Sequence, residues 1–291
     1  MSYTLAQEDL VDLIEARNML QARILGKLFS SSFNRHLKLA VKGGMAMRVA
    51  HGVARNTKDI DLDADFDTSL QGMRNHVRRS IQASLVDAGL SGLTVSEPKQ
   101  TETTARWKIF GSLPNHEQIP FSLTIEVSMR ESIEDEMVRE VPMHVDGKQV
   151  FIPVWVDEKL YMNKVCALLS SVRDAPRDVL DLDVLVRADV GLDIPALRAR
   201  LLDDHPQSHS WSSDDWVKWL WDKLEAFDED RFTTEIAAQW TDNPHPTWDD
   251  WQELLLRVGS RLEVVLKQAF PDQEQQDTTI GSVAARPEGV S

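Results

Sequence analysis

The sequence predicts an α+β fold, with strands gathered in its first half and a helical C-terminal domain after them. Three observations carry this. Strict alternation or short apolar runs recur between residues 37 and 154, as strands require. From Trp155 onward the apolar residues return at helical spacing. Within the first of these stretches, residues 38–65 turn from strand to helix and back, and place a glycine pair ahead of three alternating aspartates. The expected boundaries are a first domain over residues 1–154, a helical domain over 155–270 and a disordered polar tail over 271–291.

Taken in order, residues 4–30 read as an amphipathic helix that packs over the sheet. Leu10, Leu13, Ile14, Arg17, Leu20, Ile24 and Leu28 keep near-helical spacing, with Thr4 as the cap. Leu37 to Val41 is an apolar run suited to a buried strand, and Gly43-Gly44 breaks it. Met45 to His51 has helical composition, and Gly52 ends it. Asp59-Ile60-Asp61-Leu62-Asp63 then alternates, sending the carboxylates to one strand face and the apolar side chains to the other.

Two chemical consequences follow. Like charges side by side on one strand cost energy unless a positive group neutralises them. Hard oxygen ligands around an open position suit Mg²⁺, which takes one or two carboxylates and completes its shell with substrate phosphates. Gly43 and Gly44, between a strand and a helix, offer free backbone N–H groups and a positive dipole end to a phosphate. Alone, each signal is weak: an Asp-x-Asp more often marks a solvated strand edge, and a Gly-Gly after a strand is common.

Further along, Thr68 to Ala88 reads as a helix ended by Gly89, with Arg74, His76, Arg78 and Arg79 clustered on it. A solvated helix face is the ordinary reading; arginine contacts to phosphates or an RNA backbone are the sharper one. Thr103 to Phe110 alternates loosely. Phe121 to Met129 alternates well and sets Glu126 among Ser122, Thr124 and Ser128 on a polar face. Val141 to Val145 and Gln149 to Val154 flank Asp146-Gly147 as a hairpin. In the second half, Asp157 caps a helix reaching about Ser170, and Pro176 opens another. Asp178 and Asp181, three apart, share a helix face. Trp211, Trp216, Trp219, Trp221, Trp240, Trp248 and Trp251 read as core packing ahead of base stacking.

Composition narrows the function classes. The chain has 291 residues and is 42% apolar, enough for a full core. Its net charge of −15 argues against bulk electrostatic binding to nucleic acid. The charge is uneven. Residues 1–110 hold 15 Lys and Arg against 12 Asp and Glu, and the remainder 17 against 35. The single cysteine, Cys166, reads as a small buried residue. The N-terminus lacks the basic flank and apolar core of a signal peptide, and no apolar run approaches the roughly 20 residues of a membrane span. The expectation is a cytoplasmic protein with no membrane contact.

Lys42-Gly43-Gly44-Met45-Ala46-Met47, then Gly52, then Arg55-Asn56-Thr57-Lys58-Asp59-Ile60-Asp61-Leu62 is similar to the signature of the AbiEii/AbiGii toxin nucleotidyltransferases. Asn163-Lys164-Val165-Cys166-Ala167-Leu168 and Arg177-Asp178-Val179-Leu180-Asp181-Leu182 resemble the family's second signature. Met45 departs from the family's Thr or Ser, and a thioether cannot donate the hydrogen bond a hydroxyl gives to phosphate. Asn163 replaces the family's Glu.

The resemblance covers roughly residues 36–185 and implies a nucleotidyltransferase-type mixed sheet flanked by helices. It implies transfer of an NMP from an NTP to an RNA acceptor, tRNA in some members, with Mg²⁺ and release of pyrophosphate. Asp59, Asp61 and Glu126 would be the catalytic, metal-holding carboxylates, completing a site of the kind that takes two ions. Gly43, Gly44, Met45, Arg55, Lys58 and Asp178 would line the nucleotide. Lys164 and Asp181 would also be catalytic, Lys164 meeting the triphosphate and Asp181, with Asp178, positioning it or serving as an acid/base group. The family also implies a toxin with a cognate antitoxin encoded nearby, and a place in phage defence. Two rivals stay open: transfer to a protein or small-molecule hydroxyl, and a catalytically weak binding or regulatory module.

Overall fold

The computed structural model describes residues 7–30, 37–53, 56–86, 88–113, 116–237, 240 and 245–271. Thr4, Arg55 and the tail beyond Pro271 lie outside the described residues. The chain divides into two compact units, Met1–Leu160 with Gln239–His245, and Tyr161–Ala238 with Pro246–Ser291. No described helix is long and apolar enough to cross a membrane.

The first unit is a seven-stranded mixed sheet flanked by helices. Its elements run α1 (Gln7–Phe29), β1 (Leu39–Lys42), α2 (Gly43–His51), β2 (Asp59–Ala64), α3 (Leu70–Leu85), β3 (Ser91–Gln100), β4 (Thr104–Leu113), β5 (His116–Ser128), β6 (Val138–Val145) and β7 (Lys148–Trp155). In space the strands lie in the order β3-β4-β5-β2-β1-β7-β6. The β2–β5 and β1–β7 pairs are parallel and the others antiparallel. The hairpin between β6 and β7 turns at Asp146 and Gly147, both at positive φ, as a tight two-residue hairpin demands.

One face of the central strands is apolar throughout. Ile60 and Leu62 of β2, Leu123, Ile125 and Val127 of β5, and Ala105, Trp107 and Ile109 of β4 are all buried. Helices α1 and α3 pack on each other, and α1 packs on strands β4 to β7. Their buried Ile14, Leu20, Ile24, Leu28, Met73, Val77 and Ile81 belong to the same core. Burial of this kind contributes about 25 cal/mol per Å² of apolar surface, which is what holds the sheet to its helices. Two local expectations shift. Helix α2 begins at Gly43 instead of after the glycine pair, and α3 ends at Leu85, three residues before Ala88.

Helix α4 (Asp157–Leu169) carries the chain into the second unit. That unit holds α5 (Arg177–Arg187), α6 (Ile194–Asp204), α7 (Ser213–Glu225), the single turn α8 (Glu229–Arg231) with a π-helical continuation Phe232–Ile236, and α9 (Trp248–Ala269). Capping boxes at Ser212/Asp215 and Thr247/Asp250 fix the starts of α7 and α9. Gly259 lets α9 approach α7; a Cβ there would stand 2.5 Å from the Trp221 ring. Trp216 and Trp251 are buried, and Trp219 and Trp221 donate their indole N–H to Leu169 O and Glu263 Oε2. Trp216 and Trp251 therefore belong to the core of this unit.

Candidate active site

The glycine pair sits where strand β1 becomes helix α2. Lys42 is extended, Gly43 takes φ +64°, and no side chain caps the helix start. A Cβ at Gly43 would stand 3.0 Å from Asp61 Oδ2. Glycine is required here twice over, for the left-handed φ and for the approach of the carboxylate. Met45, in the first turn, is 2% exposed and belongs to the core. Its backbone, not its thioether, is what this position can offer a nucleotide.

Strand β2 supplies the carboxylates. It pairs Asp61 with Glu126 and Asp59 with Thr124 across the parallel β2–β5 ladder. On the other side of β2, Asp61 pairs with Lys42 of β1. Glu126 pairs with Arg106 of β4, and Arg106 with Lys99 of β3. Residues in register share a sheet face. One rung across five strands thus reads Lys42, Asp61, Glu126, Arg106, Lys99, two acids flanked by cations, with Asp59 one step along on the same face. The structure gathers Gly43, the β2 pair Asp59 and Asp61, and the distant Glu126 onto one side of one sheet.

The flanking cations are engaged differently. Arg106 donates from Nε to Glu126 Oε2 at 2.7 Å and also through Nη2. Lys42 binds Asp63, its Nζ 2.5 Å from Oδ1. Asp63 is buried and also accepts the Trp155 indole N–H at 2.9 Å on Oδ2. The third aspartate of the alternation is therefore a structural anchor for Lys42. Asp59 stands within electrostatic reach of Arg17, a buried α1 guanidinium whose pKa burial lowers while Asp59 raises it. Arg17 hydrogen-bonds Ser122 O and Asn56 Oδ1, and Gln21 donates to Thr57 O, so α1 pins the segment ahead of β2. Lys58, at the end of that segment, is exposed.

Among the described residues no three His, Cys, Asp or Glu side chains converge closely enough to hold a metal ion. Glu126 is drawn to Arg106. The donor set nevertheless fits Mg²⁺. Two carboxylates side by side supply hard oxygens, the number this ion takes from protein when phosphates and water complete its shell. Asp61 and Glu126, with Asp59 beside them, would hold it.

The arginine cluster of α3 has other work. Arg78 forks onto Glu97, Arg74 donates to Thr101 O, and His76 is buried against Leu28 O. Burial lowers the His76 pKa ahead of every other influence.

In the second unit Lys164, Asp178 and Asp181 form one cluster. Lys164 Nζ lies 2.8 Å from Asp178 Oδ1 and 2.5 Å from Asp181 Oδ2, and Arg173 takes the other oxygen of Asp178 at 2.7 Å. Both aspartates are at most 1% exposed. Burial pushes the Asp178 carboxyl up, but Lys164 and Arg173 outweigh it and hold it below the ordinary range. Each Asp178 oxygen thus already meets a cation. Cys166, on the same helix as Lys164, is buried.

Sequence reasoning missed Arg106 and the Asp63–Trp155 anchor. A polar stripe on β4, Thr104, Arg106 and Lys108, was the available signal for the first.

The sequence model of the nucleotidyl transferase AbiEii toxin family, of type IV toxin–antitoxin systems, matches residues 23–263. Among solved structures, JHP933 from Helicobacter pylori is 15% identical, with a TM-score of 0.53 over 97% of this chain and 100% of that one. MenT4, a nucleotidyltransferase toxin from Mycobacterium tuberculosis, is 15% identical, with a TM-score of 0.54 over 97% of this chain and 99% of that one. At such identity the likeness carries the fold. No curated protein sequence matches.

Proposed function

The chain belongs to the nucleotidyl transferase AbiEii toxin family, and from that premise we propose that it transfers an NMP from an NTP to an RNA hydroxyl, with tRNA the first acceptor to test. The observation that carries this reading is the rung that sets Asp61 beside Glu126, next to the glycine-started helix. Asp59, Asp61 and Glu126 would hold Mg²⁺, which supplies charge neutralisation at the phosphates. The first-turn N–H groups of α2, from Gly43, Gly44 and Met45, would cradle the triphosphate. Lys42 would face it from the same rung. The acceptor oxygen forms a bond to the α-phosphorus, the bond to the bridging α–β oxygen breaks, and pyrophosphate leaves. The acceptor proton passes to a carboxylate of the rung.

Arg55 and Lys58 remain proposed phosphate contacts. Lys164 is the proposed contact for the leaving pyrophosphate, with Asp178 and Asp181 holding its ammonium in place. The family is one of toxins, so an antitoxin partner is part of the proposal.

The net charge of −15 favours a second reading, in which the acceptor is a protein or small-molecule hydroxyl. One experiment separates them. The full chain is incubated with α-labelled NTPs, Mg²⁺, and total RNA or RNA-free lysate. Label in RNA that disappears with Asp61→Asn supports the first reading, and label confined to protein supports the second. No Asp61-dependent label in either overturns both.

A further inference from the structure

We propose that Arg106 competes with a divalent cation for Glu126, so that the metal enters this face together with the nucleotide and not ahead of it. The inference rests on the reading above that Asp61 and Glu126 hold the cation.

The two cations that flank the acids differ in what they hold. Lys42 is tied to Asp63, a carboxylate sealed under Trp155 and no candidate ligand. Arg106 is tied to Glu126 itself, by two nitrogens on one oxygen. A cation that binds through that oxygen must displace the guanidinium, and one that binds through Oε1 alone still meets its positive charge at close range. The exchange is cheap, because the side chains of the pair are 37% and 29% exposed and open ion pairs contribute little.

The pairing also has a reason to exist. Asp61 and Glu126 stand side by side with like charge, and the bare rung needs a neutraliser. A guanidinium is charged at every accessible pH, so it fills that role permanently. Once Glu126 leaves it, Arg106 faces the same side as the incoming triphosphate, and its planar fork matches phosphate oxygens. The nucleotide thus gives the displaced arginine a new partner. Metal and nucleotide each ease the binding of the other, and by equal factors.

The test measures metal binding, not turnover. Mn²⁺ is titrated onto the full chain and free Mn²⁺ is followed by electron paramagnetic resonance, with and without an α,β-methylene NTP analogue. Wild type is expected to bind Mn²⁺ weakly alone and more tightly with the analogue. Arg106→Gln should bind nucleotide-free Mn²⁺ about three- to ten-fold more tightly, and the analogue should add less. Arg106→Lys, which keeps charge and loses the fork, should fall between. Arg78→Gln, which breaks the comparable pair with Glu97, should match wild type. If Arg106→Gln binds Mn²⁺ no more tightly than wild type while Glu126→Gln weakens binding, the Arg106 proposal is overturned and the metal face stands. If Glu126→Gln has no effect either, both fall.

Discussion

The chain builds two clusters from the same ingredients, acids beside basic side chains, and buries them to opposite degrees. On the sheet, Glu126 and Arg106 keep 29% and 37% of their side chains exposed. In the second unit Lys164, Asp178 and Asp181 keep 6%, 1% and 0%. Water screens the first pair and offers each partner an alternative. It offers the second almost none, so the attraction is strong and so is the penalty for a missing partner. The difference teaches where charge can be exchanged and where it can only be held. On the reading proposed above a metal trades places with Arg106 at little cost, whereas displacing Lys164 from Asp178 and Asp181 would be costly.

The largest effect should therefore come from breaking the buried cluster on one side. Lys164→Met takes the ammonium away from two buried carboxylates, and stability should fall by about 3–5 kcal/mol in urea unfolding. Lys164→Met/Asp181→Leu removes both charges, leaves Asp178 with Arg173, and should recover most of the loss. If the double variant is folded yet inactive, Lys164 or Asp181 contributes to chemistry beyond holding its helix. If it is folded and active, the cluster is structural alone.

Acid gives the next effect. The folded Asp178 pKa lies below its unfolded value of about 3.9. A depressed carboxylate stabilises the fold above its unfolded pKa, and that stability drains away as pH falls through the folded value. Urea midpoints taken between about pH 6 and pH 3 should fall more steeply for wild type than for Asp178→Asn. Parallel curves would mean that the pair is not held as described.

Much of this comparison was legible in the sequence, and the illegible part has a common cause. Alternation alone places Asp59 and Asp61 on one strand face, and places Glu126 on a polar face of another strand. The Gly43-Gly44 pair, the Asp146-Gly147 turn and Pro176 before α5 are local signals, and local structure follows them. Asp63 obeys the same alternation as Asp59 and Asp61 yet differs in kind. Its burial is set by Trp155, on a strand that reaches β2 only through β1. Arg106 finds Glu126 only through the β4–β5 register. Spacing within a strand tells which way a side chain faces; it does not tell which neighbour will cover it. Likewise the i, i+3 spacing put Asp178 and Asp181 on one face, and only the fold brought Lys164 between them.

On the sheet the expected costs are smaller and the consequences for transfer larger. Gly43→Ala meets both the left-handed φ and the Asp61 oxygen at 3.0 Å. It should cost about 1–2 kcal/mol of stability, and transfer should fall by more than that loss explains, because the carboxylate must move. A thermal melt beside a labelled-NTP assay reads the two separately.

Glu126→Gln should be the mildest to the fold. It surrenders the bond to Arg106, worth up to about 1 kcal/mol in so open a pair. It also removes the repulsion between Glu126 and Asp61 on the same rung, which acts in the opposite direction. The two nearly cancel, and the unfolding midpoint should stay within about 1 kcal/mol of wild type while NMP transfer is lost. That combination is the signature of a group kept for exchange and not for cohesion. A stability loss as large as that of Lys164→Met would erase the distinction between the two clusters, because it would mean that the exposed pair, too, holds the fold together.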